Sequence, residues 1–239
     1  DHYAARLKYE IGKPGLTYND RARGLGLVWQ ALQFAVARKG LLNMPASPVR
    51  AYVKTREGLE APDGNIAILP FFATPDRRID KRSGITMSAN PLRADSTGSI
   101  HIRSAKATEP PSIRFNFLSA QTDRDVTLGV IRIARRIMEA PAMDGVVSGE
   151  FAPGKAVQSD DELLAWALQT GETTYHPIGT CKMGSDPRAV VDERLRVHGL
   201  SGLRVADASI MPTATSGNTN APSIMIGEKA ARMVLEDAA

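Results

Sequence analysis

The sequence predicts an α+β fold, an antiparallel β-sheet with flanking helices. Three observations carry this. Five short segments of strand character follow one another between residues 49 and 117. Turn residues, not helix-length patterns, separate most of them. Parallel strands need crossover connections of a dozen or more residues, so this spacing favours antiparallel pairing. Helical periodicity then appears in blocks before and after the strands.

Residues 24–39 read as the first helix. Leu25, Val28, Leu32, Ala35 and Val36 fall at helical spacing, Arg38 and Lys39 suit the negative end of the dipole, and Gly40 is a stop. Trp29 on this helix reads as core. The strands are expected at 49–54, 65–72, 84–89, 98–103 and 112–117. Asp63-Gly64, Pro75-Asp76, Asn90-Pro91, Thr97-Gly98 and Pro110-Pro111 punctuate them. In the fourth, Ser99, His101 and Arg103 alternate with Ile100 and Ile102, the pattern of a half-buried strand.

Two helices follow. In 122–139 Val126, Val130, Ile133 and Ile137 share a stripe and Pro141 terminates it. The helix at 160–170 opens with a capping box, Ser159 and Glu162. Leu163, Leu164, Ala167 and Leu168 form its buried face, Trp166 reads as core, and Gly171 ends it. The last seventy residues are dense in Gly, Thr, Ser, Asn and Pro. Short strands are expected there at 189–191 and 203–206, an ordered loop from Asp207 to Ala221, and a terminal helix with Pro222 at its first position.

Composition narrows the function. Apolar residues make up 43% and charged residues 23%, ordinary values for a packed domain. Lys plus Arg is 30 against 26 for Asp plus Glu, with the excess in the first sixty residues. A surplus of +4 is not the basic stripe expected of a nucleic-acid binder. The single cysteine, Cys181, excludes an internal disulfide and any multi-thiolate zinc site. Leu25 to Ala37 is interrupted by Gln30 and Gln33, and no transmembrane segment is expected. His2, His101, His176 and His198 are too scattered in sequence to suggest a metal site. The start at Asp1 reads as a piece of a longer protein, which leaves localisation unknown; a cytoplasmic or peripherally membrane-associated protein fits best.

Two segments could carry chemistry. His176 lies in TTYHPIGTCKMG, where Pro177 restrains the backbone and Gly179 and Gly184 permit tight turns. A histidine there can take a proton from an alcohol or water, or can be merely structural. In SGNTNAPS, Asn218 and Asn220 offer amides just before a helix N-terminus, a place suited to an anion or to ordinary Asx turns. Asp207-Ala208-Ser209 follows the apolar run GLRVA, where a ligand or a plain turn is equally at home. His176, Asp207 and Ser209 could be assembled into a hydrolytic triad, but GxSxG is absent.

The tail is longer and more specific than any of these. YHPIGTCKMG followed by AVVDERLRVHGLSGLRVADASIMPTATSGNTNAPSIMIGEKAA resembles the C-terminal signature of the glucose-methanol-choline oxidoreductase family, in its choline-dehydrogenase-like branch. Order and spacing match from Thr174 to about Met233, and Asp1-His2 and NFLSAQTDRD match in outline. The resemblance implies an FAD-dependent oxidation of an alcohol, with His176 as base and Asn218 hydrogen-bonding the substrate oxygen. It implies cofactor contacts from Asp207, Ala208, Thr219 and Asn220. It divides the chain into a substrate-binding region, 1–192, and the C-terminal return segment of a Rossmann-like FAD-binding domain, 193–239. The GxGxxG turn for the dinucleotide is absent, so an N-terminal half must supply it, in the same protein or a separate subunit, and this chain alone is expected to be inactive. Lys182 stands where the family usually has Arg. The family also contains flavin-bearing hydroxynitrile lyases, so a lyase or a non-catalytic remnant that binds a partner are the alternatives. The electron acceptor is not written in these residues.

Overall fold

The computed structural model describes residues 1–74, 76 and 78–238; Pro75, the first residue of one expected turn, lies outside them. In chain order the elements are β1 (Tyr3–Ile11), α1 (Tyr18–Arg21), α2 (Gly24–Ala37), β2 (Val49–Val53), β3 (Gly64–Leu69), β4 (Gly84–Pro91), β5 (Ser99–His101), β6 (Ser112–Arg114), α3 (Gln121–Met138), β7 (Val147–Ala152), α4 (Asp160–Thr170), β8 (Glu172–Thr173) and α5 (Asn220–Ala238). The chain forms two compact units. One comprises Ala4–Pro91 and Arg124–Glu172, the other Asp1–Tyr3, Leu92–Asp123 and the segment from Thr173 onward.

The larger unit is built on the predicted antiparallel sheet. Its strand order is β2-β3-β4-β1-β7, with β8 also pairing β1. The β1–β4, β1–β7, β2–β3 and β3–β4 pairs are antiparallel. β1 was not among the expected strands, although its pattern has period two. Ala5, Leu7, Tyr9 and Ile11 are buried while Arg6, Lys8 and Glu10 are less so. β7 was also missed, because Gly149 and Glu150 interrupt its apolar character.

One core joins sheet and helices. Leu7, Ile66 and Met87 of the sheet meet Val126, Val130, Ile131 and Ala134 of α3 and Leu163 and Ala167 of α4. Two glycines let α3 approach closely. A Cβ on Gly64 would stand 2.3 Å from Val130 Cγ2, and one on Gly129 2.7 Å from Thr55 Cβ. Ser159 caps α4 through the expected box, accepting from the Glu162 N–H. Trp166 packs against the core, but Leu168 is half exposed, so the buried face of α4 is narrower than expected.

α2 departs most from its sequence reading. It begins at Gly24 as expected but ends at Ala37, two residues before the expected end, because Arg38 is a left-handed cap at φ 52°. Its apolar stripe points outward, however. Leu25 is 88% exposed and Trp29, expected in the core, is 57% exposed. The one buried residue is Gln30, whose Oε1 accepts from the Leu41 N–H at 2.8 Å. Periodicity reports a stripe, not what covers it.

The smaller unit has little regular structure before its terminal helix. Its apolar cluster comprises Val191, Leu195, Ile210, Met211, Ile226 and Ala230. Residues 189–191 and 203–206 do not form strands. Single bridges replace them, Met183 and Val197 on Val191, and Arg196 on Arg204. Ladders cannot extend because turns at Gly199 and Gly202, both at positive φ, return the chain within a few residues. Among the described residues β5 and β6 pair only with each other, and Ile102 is 88% exposed, so the half-buried strand expected at 98–103 is a short exposed ribbon. α5 begins two residues before Pro222, at Asn220. Proline is tolerated throughout the first turn, where its missing N–H has no helical partner to lose. At the other end of α5, Asp237 pairs with Arg194, Arg196 and Arg204.

Candidate active site

The sequence places His2 and His176 174 residues apart; the fold of the smaller unit puts their Nδ1 atoms 2.9 Å from one another. Three hydrogen bonds hold the His176 segment in place. Its backbone N–H donates to Asp1 Oδ1 at 3.0 Å, and Thr173 Oγ1 donates to Asp1 Oδ2. The Thr174 N–H donates to the His2 carbonyl at 2.9 Å. Tyr175 between them adopts φ 62°, a left-handed conformation that costs a non-glycine residue about 1–2 kcal/mol. That turn aims the imidazole of the next residue.

The hydrogen-bond pattern fixes the protons. His2 Nε2 lies 2.6 Å from the Leu92 carbonyl oxygen, which can only accept. His2 therefore carries its proton on Nε2. Burial holds its pKa below the ordinary value of 6.5, against the hydrogen bond to Leu92, which acts the other way. In the neutral ring Nδ1 is then an acceptor, and His176 Nδ1 is the donor to it. Thr174 Oγ1, 2.9 Å from the same His176 nitrogen, can share that proton. With its proton on Nδ1, a neutral His176 has Nε2 as its basic nitrogen, the form a general base requires.

The segments flagged in the tail run alongside. The Cys181 N–H donates to the Ser209 carbonyl at 3.0 Å and the Met183 N–H to that of Ile210 at 2.8 Å. Asp207 is exposed, and its carboxylate caps a 3-10 turn by accepting from the Ser209 N–H at 2.7 Å. Ala208 packs against the apolar cluster. The loop before α5 also reaches His2. The Thr215 carbonyl acts on the His2 imidazole, and Arg93 Nη1 donates to Ser216 Oγ at 2.8 Å. Asn218 is exposed two residues on. The Thr219 carbonyl accepts from both Ser223 N–H and Ser223 Oγ, and Asn220 is exposed at the first position of α5.

His2, Asp1 and Leu92 are the participants that sequence reasoning missed. The signal available was the Asp-His pair at positions 1 and 2, but no local pattern ties it to residue 176. Among the described residues no group of three His, Cys, Asp or Glu side chains is placed to hold a metal ion.

A family model for GMC oxidoreductase matches residues 94–227, more than half of the chain and all of this unit's 94–123 and 173–227 stretches. The chain belongs to the GMC oxidoreductase family. Among curated relatives this GMC chain is 42% identical to oxygen-dependent choline dehydrogenase of Brucella ovis over 98% of its length and 43% of the relative's. It is 39% identical to an alcohol dehydrogenase [acceptor] of Pseudomonas putida, covering 92% of this chain and 40% of that one. Among solved structures, formate oxidase of Aspergillus oryzae superposes with a TM-score of 0.89 at 20% identity, over 99% of the GMC chain and 46% of the oxidase. That last likeness shows the fold. The chain thus spans about two-fifths of the length of the curated relatives it matches.

Proposed function

We propose that this chain is the C-terminal portion of an FAD-dependent oxidoreductase that oxidises an alcohol to an aldehyde or ketone. The observation that carries the proposal is the His2–His176 pair, whose Nδ1 atoms stand 2.9 Å apart, with His176 directly after the left-handed residue Tyr175. Family membership supplies the reaction class, and the choline and alcohol dehydrogenases among the relatives supply the substrate class.

The donor set at the N-terminus of α5 fits a flavin. Asn218, Thr219 and Asn220 bring two amides and a hydroxyl to a helix end with no acidic residue in its first turn. Such an end favours an electron-rich or anionic group. Thr219 and Asn220 would meet the ring system, and Asp207 and Ala208 would lie along the cofactor's chain. When bound, FAD supplies the acceptor for the hydride. The protein does the rest. His176 Nε2 takes the hydroxyl proton, and the Asn218 amide donates to the oxygen as negative charge gathers on it. Residues 193–239 complete an FAD-binding domain whose remainder, including the glycine-rich turn, comes from an N-terminal half of the same protein or a separate subunit.

The test is bleaching of the bound flavin's visible band by an alcohol, in the protein that carries both halves. His176→Ala should slow bleaching by about 10²–10⁴-fold, the usual worth of a general base. A rate near that of the unaltered protein removes His176 from this role. Failure of every alcohol to bleach the flavin, with the cofactor bound, returns the lyase reading.

A further inference from the structure

The outward-facing stripe of α2 is unlike the rest of the surface. Leu25, Val28, Trp29, Leu32 and Val36 recur at helical spacing and are all more than half exposed, while the polar Gln30 faces inward. The helix Gly24–Ala37 contains no charged residue, yet charge brackets it closely. Arg21 and Arg23 precede it, and Arg38 and Lys39 follow. From Arg21 to Arg56 there are seven basic residues and no acidic one. The basic surplus of the first sixty residues therefore falls, along the sequence, in the stretch that contains this helix.

We propose that α2 is a monotopic membrane-docking helix that lies in the surface of a bilayer containing anionic lipid. Fourteen residues at about 1.5 Å each give about 21 Å, too short for a hydrocarbon core of about 30 Å. No helix among the described residues is long and apolar enough to cross a membrane. An apolar stripe bearing a tryptophan, with cations at both ends and the neighbouring Asp20 carboxylate taken up by hydrogen bonds from Gly15, Thr17 and Ser83, is the chemistry of a helix that lies in the interface. The leucines and valines enter the acyl boundary, Trp29 sits at headgroup depth, and Arg21, Arg38 and Lys39 meet lipid phosphates, while Arg23 is turned to the Lys81 carbonyl. A protein partner would have to bring acidic groups to both ends of one short apolar helix, whereas an anionic bilayer offers phosphates all along it. The inference does not depend on the proposed oxidation.

The test uses the protein as its gene encodes it, floated with vesicles of phosphatidylcholine mixed with phosphatidylglycerol, and with phosphatidylcholine alone. Binding should be at least about tenfold stronger to the anionic vesicles and should weaken as added salt shortens the screening length from about 10 Å at 0.1 M to about 3 Å at 1 M. Leu25→Asp with Val28→Asp should lower binding at least about tenfold with the circular dichroism unchanged, since both side chains are exposed. Should that variant misfold, Trp29 decides alone. In a Trp166→Phe background its emission should shift to the blue on adding anionic vesicles, and lipids brominated near the headgroup should quench it. No flotation with anionic vesicles overturns the proposal, as does undiminished binding by the folded double variant. Shielding of Trp29 from acrylamide before lipid is added also overturns it, because the face is then covered by a preceding segment or a second copy.

Discussion

Replacing His2 by Leu tests the chain of hydrogen bonds that sets the proposed base. The substitution removes the acceptor 2.9 Å from His176 Nδ1 and the donor 2.6 Å from the Leu92 carbonyl. When His176 takes a proton it becomes an imidazolium, and a hydrogen bond from a charged donor is worth about 1.5–3 kcal/mol. At about 1.4 kcal/mol per factor of ten, the rate of flavin reduction should fall by about 10–100-fold. Thr174 Oγ1, also 2.9 Å from Nδ1, retains part of that interaction and draws the result toward the lower end. Orienting partners of reactive histidines in metal sites show losses of similar size. The assay is single-turnover bleaching of the flavin by an alcohol, followed across pH. His2→Gln is the companion variant, since its amide can accept from His176 and donate to Leu92. It should recover most of the rate, which a loss of packing would not predict. His2→Leu reducing flavin as fast as the unaltered protein would refute the reasoning. So would a folded His2→Gln variant no faster than His2→Leu.

The same histidine makes the fold pH-dependent. Its folded pKa is depressed by burial, so the stability it contributes is present above its ordinary value of 6.5 and is lost as pH falls through the lower folded value. Thermal melts should therefore show a decline in Tm below about pH 6.5 that His2→Gln lacks. In the larger unit, Arg135 pairs with Glu150 at 3.1 Å and donates to the Val157 carbonyl at 2.9 Å, both side chains being nearly buried. Arg135→Met strands the carboxylate and should cost about 3–5 kcal/mol in urea unfolding, while adding Glu150→Met should recover much of it. A Cβ at Gly84 would fall 2.4–2.6 Å from ring atoms of buried Phe72. Gly84→Ala should cost about 1–3 kcal/mol by the same measurement, and no loss would mean that the ring can withdraw.

The burial of Tyr9 against the Arg135–Glu150 pair ties the two halves of the sheet region together. Its hydroxyl pKa is raised, by burial first and by the Glu150 carboxylate second. Tyr9 lies on β1 and Glu150 on β7, paired in register although 141 positions apart. Neither strand was expected from the sequence, although the alternation of β1 has period two.

Much of this protein can be read from its residues in order. Helix bounds, the Ser159–Glu162 capping box and the antiparallel character of the sheet all follow from local rules, because spacing, caps and turn chemistry act over a few residues. The tail signature likewise named the family, because a long composite pattern is specific in itself. Tertiary structure decided the rest. Whether the stripe of α2 turns inward or outward depends on what else is present to cover it, and periodicity is silent on that. The apolar pieces at 189–191 and 203–206 had strand character but found only single bridges, since pairing requires a partner of matching length. The proton inventory of His176 is set by His2 and Leu92, residues 174 and 84 positions away, and only folding brings a carbonyl, two imidazoles and a strained turn within hydrogen-bond reach.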